Sequence, residues 1–296
     1  MLQPGDLMAA NNEKNDLNKG DDLIWAVITR NLDSIQHILK QEPIAINQKN
    51  MHGNLALNQA IRAGYDEVVE LLLAKSLWNL DVNAKDNRGF APIHEAALQN
   101  NVKLIKALIE RGADVNSGKT EKNGTPLHFA IYSEHYEVAD CLLDHGADVN
   151  ATCDNFIDSK IEYHELTPLH LAAIRGDIPC IALLSYFGAD REQKVKEGLT
   201  PVELLSKFHT NASFSRDQNS SLISADEAFD EAYNMGRMDR SNDKKKVVID
   251  WLPAAPKKAG GENVSPSILA SVSTENSLRQ FLDPESSDSA RKLKAS

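Results

Sequence analysis

Three histidines, His94, His128 and His170, recur in similar local surroundings, and a row of imidazoles could hold metal ions. Cys141, Cys153 and Cys180 are thiols that could attack or ligate, and Asp144-His145 has the composition of a hydrolytic dyad. Each reading fails a second requirement. The cysteines are odd in number and form no CxxC pair, which argues against a zinc cluster and a disulfide framework. A reducing compartment, the cytoplasm, is the location this favours. Cys141 and Cys180 occupy comparable apolar positions, as small buried hydrophobes do, with no dedicated histidine in the pattern. Neither GxxxxGK[ST] nor HExxH occurs. The expectation is a chain with no catalytic residue, no cofactor and no metal.

The elements that carry these residues repeat. Aligning DLIWAVI (22–28), GNLALNQAI (53–61), GFAPIHEAA (89–97), NGTPLHFAI (123–131), LTPLHLAA (166–173) and GLTPVELL (198–205) places equivalent positions at Asp21, Leu55, Ala91, Thr125, Thr167 and Thr200. The spacings are 34, 36, 34, 42 and 33 residues. A second apolar stretch follows each of the first five, and three of these run into Gly-Ala-Asp at Gly112, Gly146 and Gly188. In Thr125-Pro126 and Thr167-Pro168 the threonine can cap a helix whose first residue is proline, a position where the missing N–H costs no bond. Val68, Val69, Leu72 and Leu73, like Leu104, Ile105, Leu108 and Ile109, fall at helical spacing and form the apolar face of a second helix. The three glycines supply the left-handed turn that stops it. A helix pair of this size cannot hide its apolar face alone and must stack on copies of itself.

These units resemble ankyrin repeats. Thr125-Pro126-Leu127-His128-Phe129-Ala130 and Thr167-Pro168-Leu169-His170-Leu171-Ala172 fit that family's T-P-L-H-x-A signature, and Gly-Ala-Asp-Val-Asn recurs at 112–116 and 146–150. The resemblance covers about residues 22 to 207. It implies an all-α solenoid of about five helix-pair repeats, near 22–49, 50–85, 86–116, 117–150 and 151–190, closed by a C-terminal half-repeat cap at 191–207. It also implies that His94, His128 and His170 are structural, bonding adjacent turns, as are Thr125, Thr167 and the stop glycines. Asn116 and Asn150, with Leu108 and Leu142 eight residues upstream, match positions an asparaginyl hydroxylase can modify in the family. The second unit departs from the pattern, since Leu55-Ala56-Leu57-Asn58 lacks the threonine, the proline and the histidine together. The sixth has Glu203 at the histidine position and no clear second helix.

The chain has 296 residues, 32 Lys+Arg against 43 Asp+Glu, and a formal charge of −11. Residues 208–296 hold 13 acidic and 12 basic residues, leaving 30 against 20 in residues 1–207. Nucleic-acid binding through a broad basic surface is disfavoured, and a protein partner with a basic or neutral surface fits better. No apolar run approaches the roughly 18 residues that would cross a bilayer. Residues 1–21 are expected to be a flexible lead-in without a signal sequence, and the molecule to be a monomer.

In the family, partners bind at the turn tips and at the exposed end of the first helix. On this chain those positions are Met51, His52 and Asn54; Asn87, Arg88 and Phe90; Lys122 and Asn123; and Arg62, Gln99, Tyr132 and Arg175. Phe90 and Tyr132 are the expected aromatic anchors. Between Asn150 and Thr167 the connection is nine residues longer than its counterpart after Asn83, and this insertion (151–166), with Phe156 and Tyr163, is either a recognition finger or a tolerated loop. Residues 208–296 read as a mostly disordered tail: 17 of 89 are Ser or Thr and 17 are Leu, Ile, Val or Phe. Ser224-Ala225-Asp226-Glu227 opens a capping-box pattern that predicts a helix over 224–240 within it.

The function expected is non-enzymatic binding of a protein through the concave face and turn tips. A second reading, also a resemblance, is an ankyrin-repeat effector that an intracellular bacterium delivers into a host cell's cytoplasm, with the C-terminal tail as export signal. Catalysis built in the tail is a third, and that tail is poor in core residues.

Overall fold

The computed structural model describes residues 19–41, 43–74, 79–118, 124–154, 163–209, 214–215, 222–241 and 257–258. The expected lead-in before residue 19, Lys122, Asn123, Phe156 and the end of the tail lie outside them. Five helix pairs follow one another. They are α1 (Lys19–Ile28) with α2 (Leu32–Gln41), α3 (Ala56–Arg62) with α4 (Asp66–Leu72), α5 (Pro92–Leu98) with α6 (Val102–Ile109), α7 (Pro126–Tyr132) with α8 (Tyr136–Asp144), and α9 (Pro168–Arg175) with α10 (Ile178–Tyr186). First helices pack on first helices throughout, and second on second between α6 and α8, giving a solenoid with one continuous apolar interior. A 3₁₀ turn, Pro43–Asn47, follows α2. Alanines 60, 96, 97, 130, 172 and 173 are fully buried on the first helices and let neighbouring units approach closely.

Three of the second helices stop as their sequence dictates. Gly112, Gly146 and Gly188 take φ of 86°, 86° and 87°. The Gly112 N–H donates to Ile109 O at 2.8 Å and the Ala113 N–H to Leu108 O at 3.0 Å, and the same pair of bonds recurs at 146–147 and 188–189. Neighbouring units are tied by an asparagine ladder. Asn83 Nδ2 donates to Gly112 O at 2.9 Å while its Oδ1 accepts from the Asp114 N–H at 2.8 Å, and Asn116 makes the same two bonds to Gly146 and Asp148. Asn47 does so to Asn79 and Asp81, and Asn150 accepts from the Asp190 N–H.

The sixth unit is more complete than a half repeat. Its first helix, α11 (Pro201–Phe208), is followed after a long excursion by α12 (Ala225–Ser241), which packs against both α10 and α11 where a second helix belongs. Ala225, Ala228, Phe229, Ala232, Tyr233 and Gly236 form its buried stripe. Gly236 lies so close to α10 that a Cβ there would stand 2.2 Å from Ala182 O. Ser185 Oγ donates to Tyr233 O, and Tyr233 OH to Ala189 O at 2.8 Å. The Arg191 guanidinium lies over the Phe229 and Tyr233 rings and pairs with Asp230 at 2.6 Å. Three two-residue strands, β1 (Phe214–Ser215), β2 (Leu222–Ile223) and β3 (Lys257–Lys258), pair antiparallel in the order β2-β1-β3 and are an addition to the all-α expectation.

Candidate functional site

The three histidines are buried inside the solenoid. In each, Nδ1 accepts the N–H of the residue before the helix, from Ala91, Thr125 and Thr167, all at 3.1 Å. That acceptance requires an unprotonated Nδ1 and places the ring hydrogen on Nε2, which in His128 donates across to Leu166 O of the next unit at 3.1 Å. Burial pushes all three down to about 4, so they are neutral near pH 7. Asn58 replaces the missing histidine of the second unit by the same bond: its Nδ2 donates to Phe90 O at 2.8 Å. In the sixth unit the Glu203 carboxylate accepts from the Thr200 N–H at 2.8 Å. The threonines cap unequally. Thr167 and Thr200 accept from the backbone three residues on, while Thr125 Oγ1 lies 2.9 Å from His128 Nδ1 and makes no such bond.

The thiols offer no nucleophile. Cys141, Cys153 and Cys180 are buried and unpaired with one another, and burial pushes Cys153 and Cys180 upward. His145 Nδ1 lies 3.8 Å from Cys141 Sγ, but it lies 2.7 Å from Cys141 O, where it must donate its hydrogen, so this nitrogen is no base for the thiol. Among the described residues no group of three His, Cys, Asp or Glu could hold a metal ion.

The expected binding surface is redistributed. Phe90 is 1% exposed and Tyr132 9%, so neither is an exposed anchor. Phe90 lies two residues before a first helix, and its ring packs against Phe129 of the next unit, with centroids 5.0 Å apart. Tyr132 is covered by the Arg175 guanidinium, 5.1 Å from its ring centroid, and Arg175 also pairs with Glu134 at 2.5 Å. Arg62 and Arg88 bracket two buried carboxylates. Arg88 Nη2 lies 2.7 Å from Asp86 and 2.5 Å from Glu95, while Arg62 lies 3.4 Å from Glu95 and 3.9 Å from Asp86. Two cations against two anions make this part of the inner face neutral rather than acidic. Tyr163 is buried against Phe208, and its hydroxyl oxygen accepts from Lys207 Nζ at 3.1 Å. The end of the insertion is therefore fastened to the solenoid, its base closed by reciprocal Cys153–Leu166 backbone bonds of 2.9 and 2.8 Å.

Several expected positions do face solvent. Met51 is 80% exposed, and His52, Asn87 and Gln99 are exposed, with Asn54 half-buried. Sequence reasoning missed Trp25, 68% exposed, and Ile28, 44% exposed. Their signal was register: Ile28 corresponds to Tyr132 and Trp25 to Phe129, but in the first unit. Asp21 Oδ1 accepts from the Met51 N–H at 3.0 Å, so the second turn tip sits against the start of α1.

A ladder of short helix pairs held by histidine, asparagine and glycine at fixed register defines a repeat scaffold. Family comparison gives it a name: residues 52–87 match the ankyrin repeat, 74–153 ankyrin repeats in three copies and 127–185 ankyrin repeats in many copies. The chain carries a run of ankyrin repeats. It is 32% identical over 192 residues to the nuclear factor NF-kappa-B p105 subunit of Gallus gallus, covering 65% of this chain and 18% of that one. It is 41% identical over 64 residues to the BCL-6 corepressor of Homo sapiens, covering 22% and 4%. It is 33% identical over 95 residues to the RelA-associated inhibitor of Mus musculus, covering 31% and 11%. The chain thus spans less than a fifth of the length of each of these relatives. No helix among the described residues is long and apolar enough to cross a membrane.

Proposed function

We propose that the solenoid is a non-catalytic scaffold that binds a protein partner through the turn tips and helix ends of its first three units. The observation that carries this is that the turn tips and first-helix ends of these units keep exposed apolar side chains, Met51 and Ile28, and exposed polar ones, His52, Asn87 and Gln99, on a rigid frame. The exposed carboxylates Asp66, Glu67 and Glu70 of α4 and Glu137 and Asp144 of α8 lie on second helices. They steer a basic partner toward the molecule while the neutralised Arg62–Asp86–Arg88–Glu95 quartet leaves the inner face to packing and hydrogen bonds. The buried, neutral histidines and the raised thiols support contact rather than turnover.

Affinity capture with the full chain, compared with an Ile28→Asp/Met51→Asp variant of unchanged circular dichroism, tests the assignment. Proteins retained by the parent chain should be lost from the variant. An identical captured set places the binding surface elsewhere.

A further inference from the structure

We infer that the two ends of the solenoid are complementary and that the chain self-associates head to tail, Trp25 of one copy seating in a notch at the C-terminal end of another. This goes beyond partner binding at the turn tips and uses different residues. The argument is one of register. Counting from the equivalent positions Asp21, Leu55, Ala91, Thr125, Thr167 and Thr200, the side chain four residues on faces the preceding unit. In the third unit that residue is Glu95, which reaches back to Arg62 at 3.4 Å. In the fourth it is Phe129, whose ring packs on Phe90 at 5.0 Å and on His94 at 5.8 Å. The receiving residues stand one position before (Phe90), three positions on (His94) and seven positions on (Arg62) from the reference residue of the earlier unit.

Trp25 is the residue four positions on in the first unit. Among the described residues no earlier unit covers it, and it stands 68% exposed. At the far end, the residues three and seven positions on in the sixth unit are Glu203 and Lys207. With Val202, Ser206 and Asp226 they line an open notch of about 450 Å³. Two of the five lining residues, Glu203 and Lys207, thus stand at register positions that accept the incoming side chain inside the array, and Trp25 is the side chain that repeats as Glu95 and Phe129. Lys207 takes the place of Arg62 and offers a cation to the indole face, as it already does to the Tyr163 ring, 5.6 Å from its centroid. Repeat arrays ordinarily close with polar ends, and an exposed tryptophan in this register is the departure that such stacking would remove. The contact is heterologous, so it leaves one free end of each kind and propagates unless it closes into a ring.

Sedimentation velocity of the full chain from micromolar to near-millimolar concentration reads the association directly. The parent chain should show a weight-average mass that rises with concentration above the 32.6 kDa of one copy. Trp25→Asp, which removes the knob, and Val202→Arg, which fills the notch, should each remain at the single-copy mass with unchanged circular dichroism. Mixed together they should form a species of twice that mass and no larger, because one retains the notch and the other the knob. A parent chain that stays at one copy overturns the proposal, whether Trp25 is then quench-accessible or is covered by another part of its own chain. So does a mass unaffected by Trp25→Asp, or a mixture that stays at one copy.

Discussion

Acidification should destabilise this solenoid from pH 6.5 downward, before most carboxylates protonate, and the histidine row sets the size of the effect. In the folded chain His94, His128 and His170 are held at about 4 by burial, against 6.5 in the unfolded chain. Each imidazole must be neutral because its Nδ1 accepts a backbone N–H. The stability they confer is fully present above pH 6.5 and is lost as pH falls toward 4. Asp177 works in the opposite sense. Burial at the start of α10 lifts it to about 6 from 3.8, although the Cys180 N–H donates to it at 3.1 Å, so its contribution is present below about pH 4 and lost as pH rises through 6. Burial raises Glu95 in the same direction as Asp177, despite Arg62 and Arg88 beside it. At pH 5 each histidine takes up about 0.9 proton on unfolding, and Asp177 releases about as much as one histidine gains. The net uptake is about 2 protons, a slope of about 2 kcal/mol per pH unit, trimmed by Glu95. Urea titrations at pH 7, 6 and 5 should therefore give an unfolding free energy that falls by about 2 kcal/mol over the last unit. His128→Asn supplies the control, because Asn58 already makes the equivalent cross-unit bond with a side chain that does not titrate. It should roughly halve the slope. A free energy that is flat or rising between pH 6 and 5, or a slope untouched by His128→Asn, would refute the reasoning.

Two further expectations concern packing. Gly236→Ala drives a Cβ into the α10 backbone at Ala182 O, so it should destabilise the C-terminal end by about 1–3 kcal/mol and make the 225–241 segment the first site of limited proteolysis; resistance equal to the parent chain would contradict the close approach. Phe90→Ala removes a ring buried between units and should cost about 3–5 kcal/mol in thermal or urea unfolding, with loss of partner capture following only from loss of fold.

Much of this architecture was legible in the residues. The Thr-Pro-Leu-His runs and the stop glycines each specify a backbone event, so helix starts and stops were readable unit by unit. The anchors were not, because exposure at a turn tip depends on what the next unit brings. Phe90 stands in the same register as Leu166, which is buried, and that shared apolar character was the available sign that the position belongs to the interior. Asn58 looked like a lost histidine because the bond it preserves runs to a carbonyl 32 residues away. The second helix of the sixth unit escaped recognition for a related reason. Its stripe of Ala228, Phe229, Ala232 and Tyr233 was visible as a helix, but the excursion that separates it from α11 has no counterpart in the other units. Trp25 was passed over because its type is ordinary for its register, and its exposure comes from its place in the first of the described units.

The late arrival of α12 has a consequence for the order in which the chain is made. Every other unit emerges from the ribosome as a contiguous pair and can close on its predecessor as soon as it is translated. The last inner helix must wait for a partner encoded well downstream, and until then the outer side of α10 around Ala182 and Ser185 is wet. A nascent chain paused between residues 209 and 241 would carry that unfinished flank, making this the stretch of synthesis in which premature termination or chaperone capture matters most.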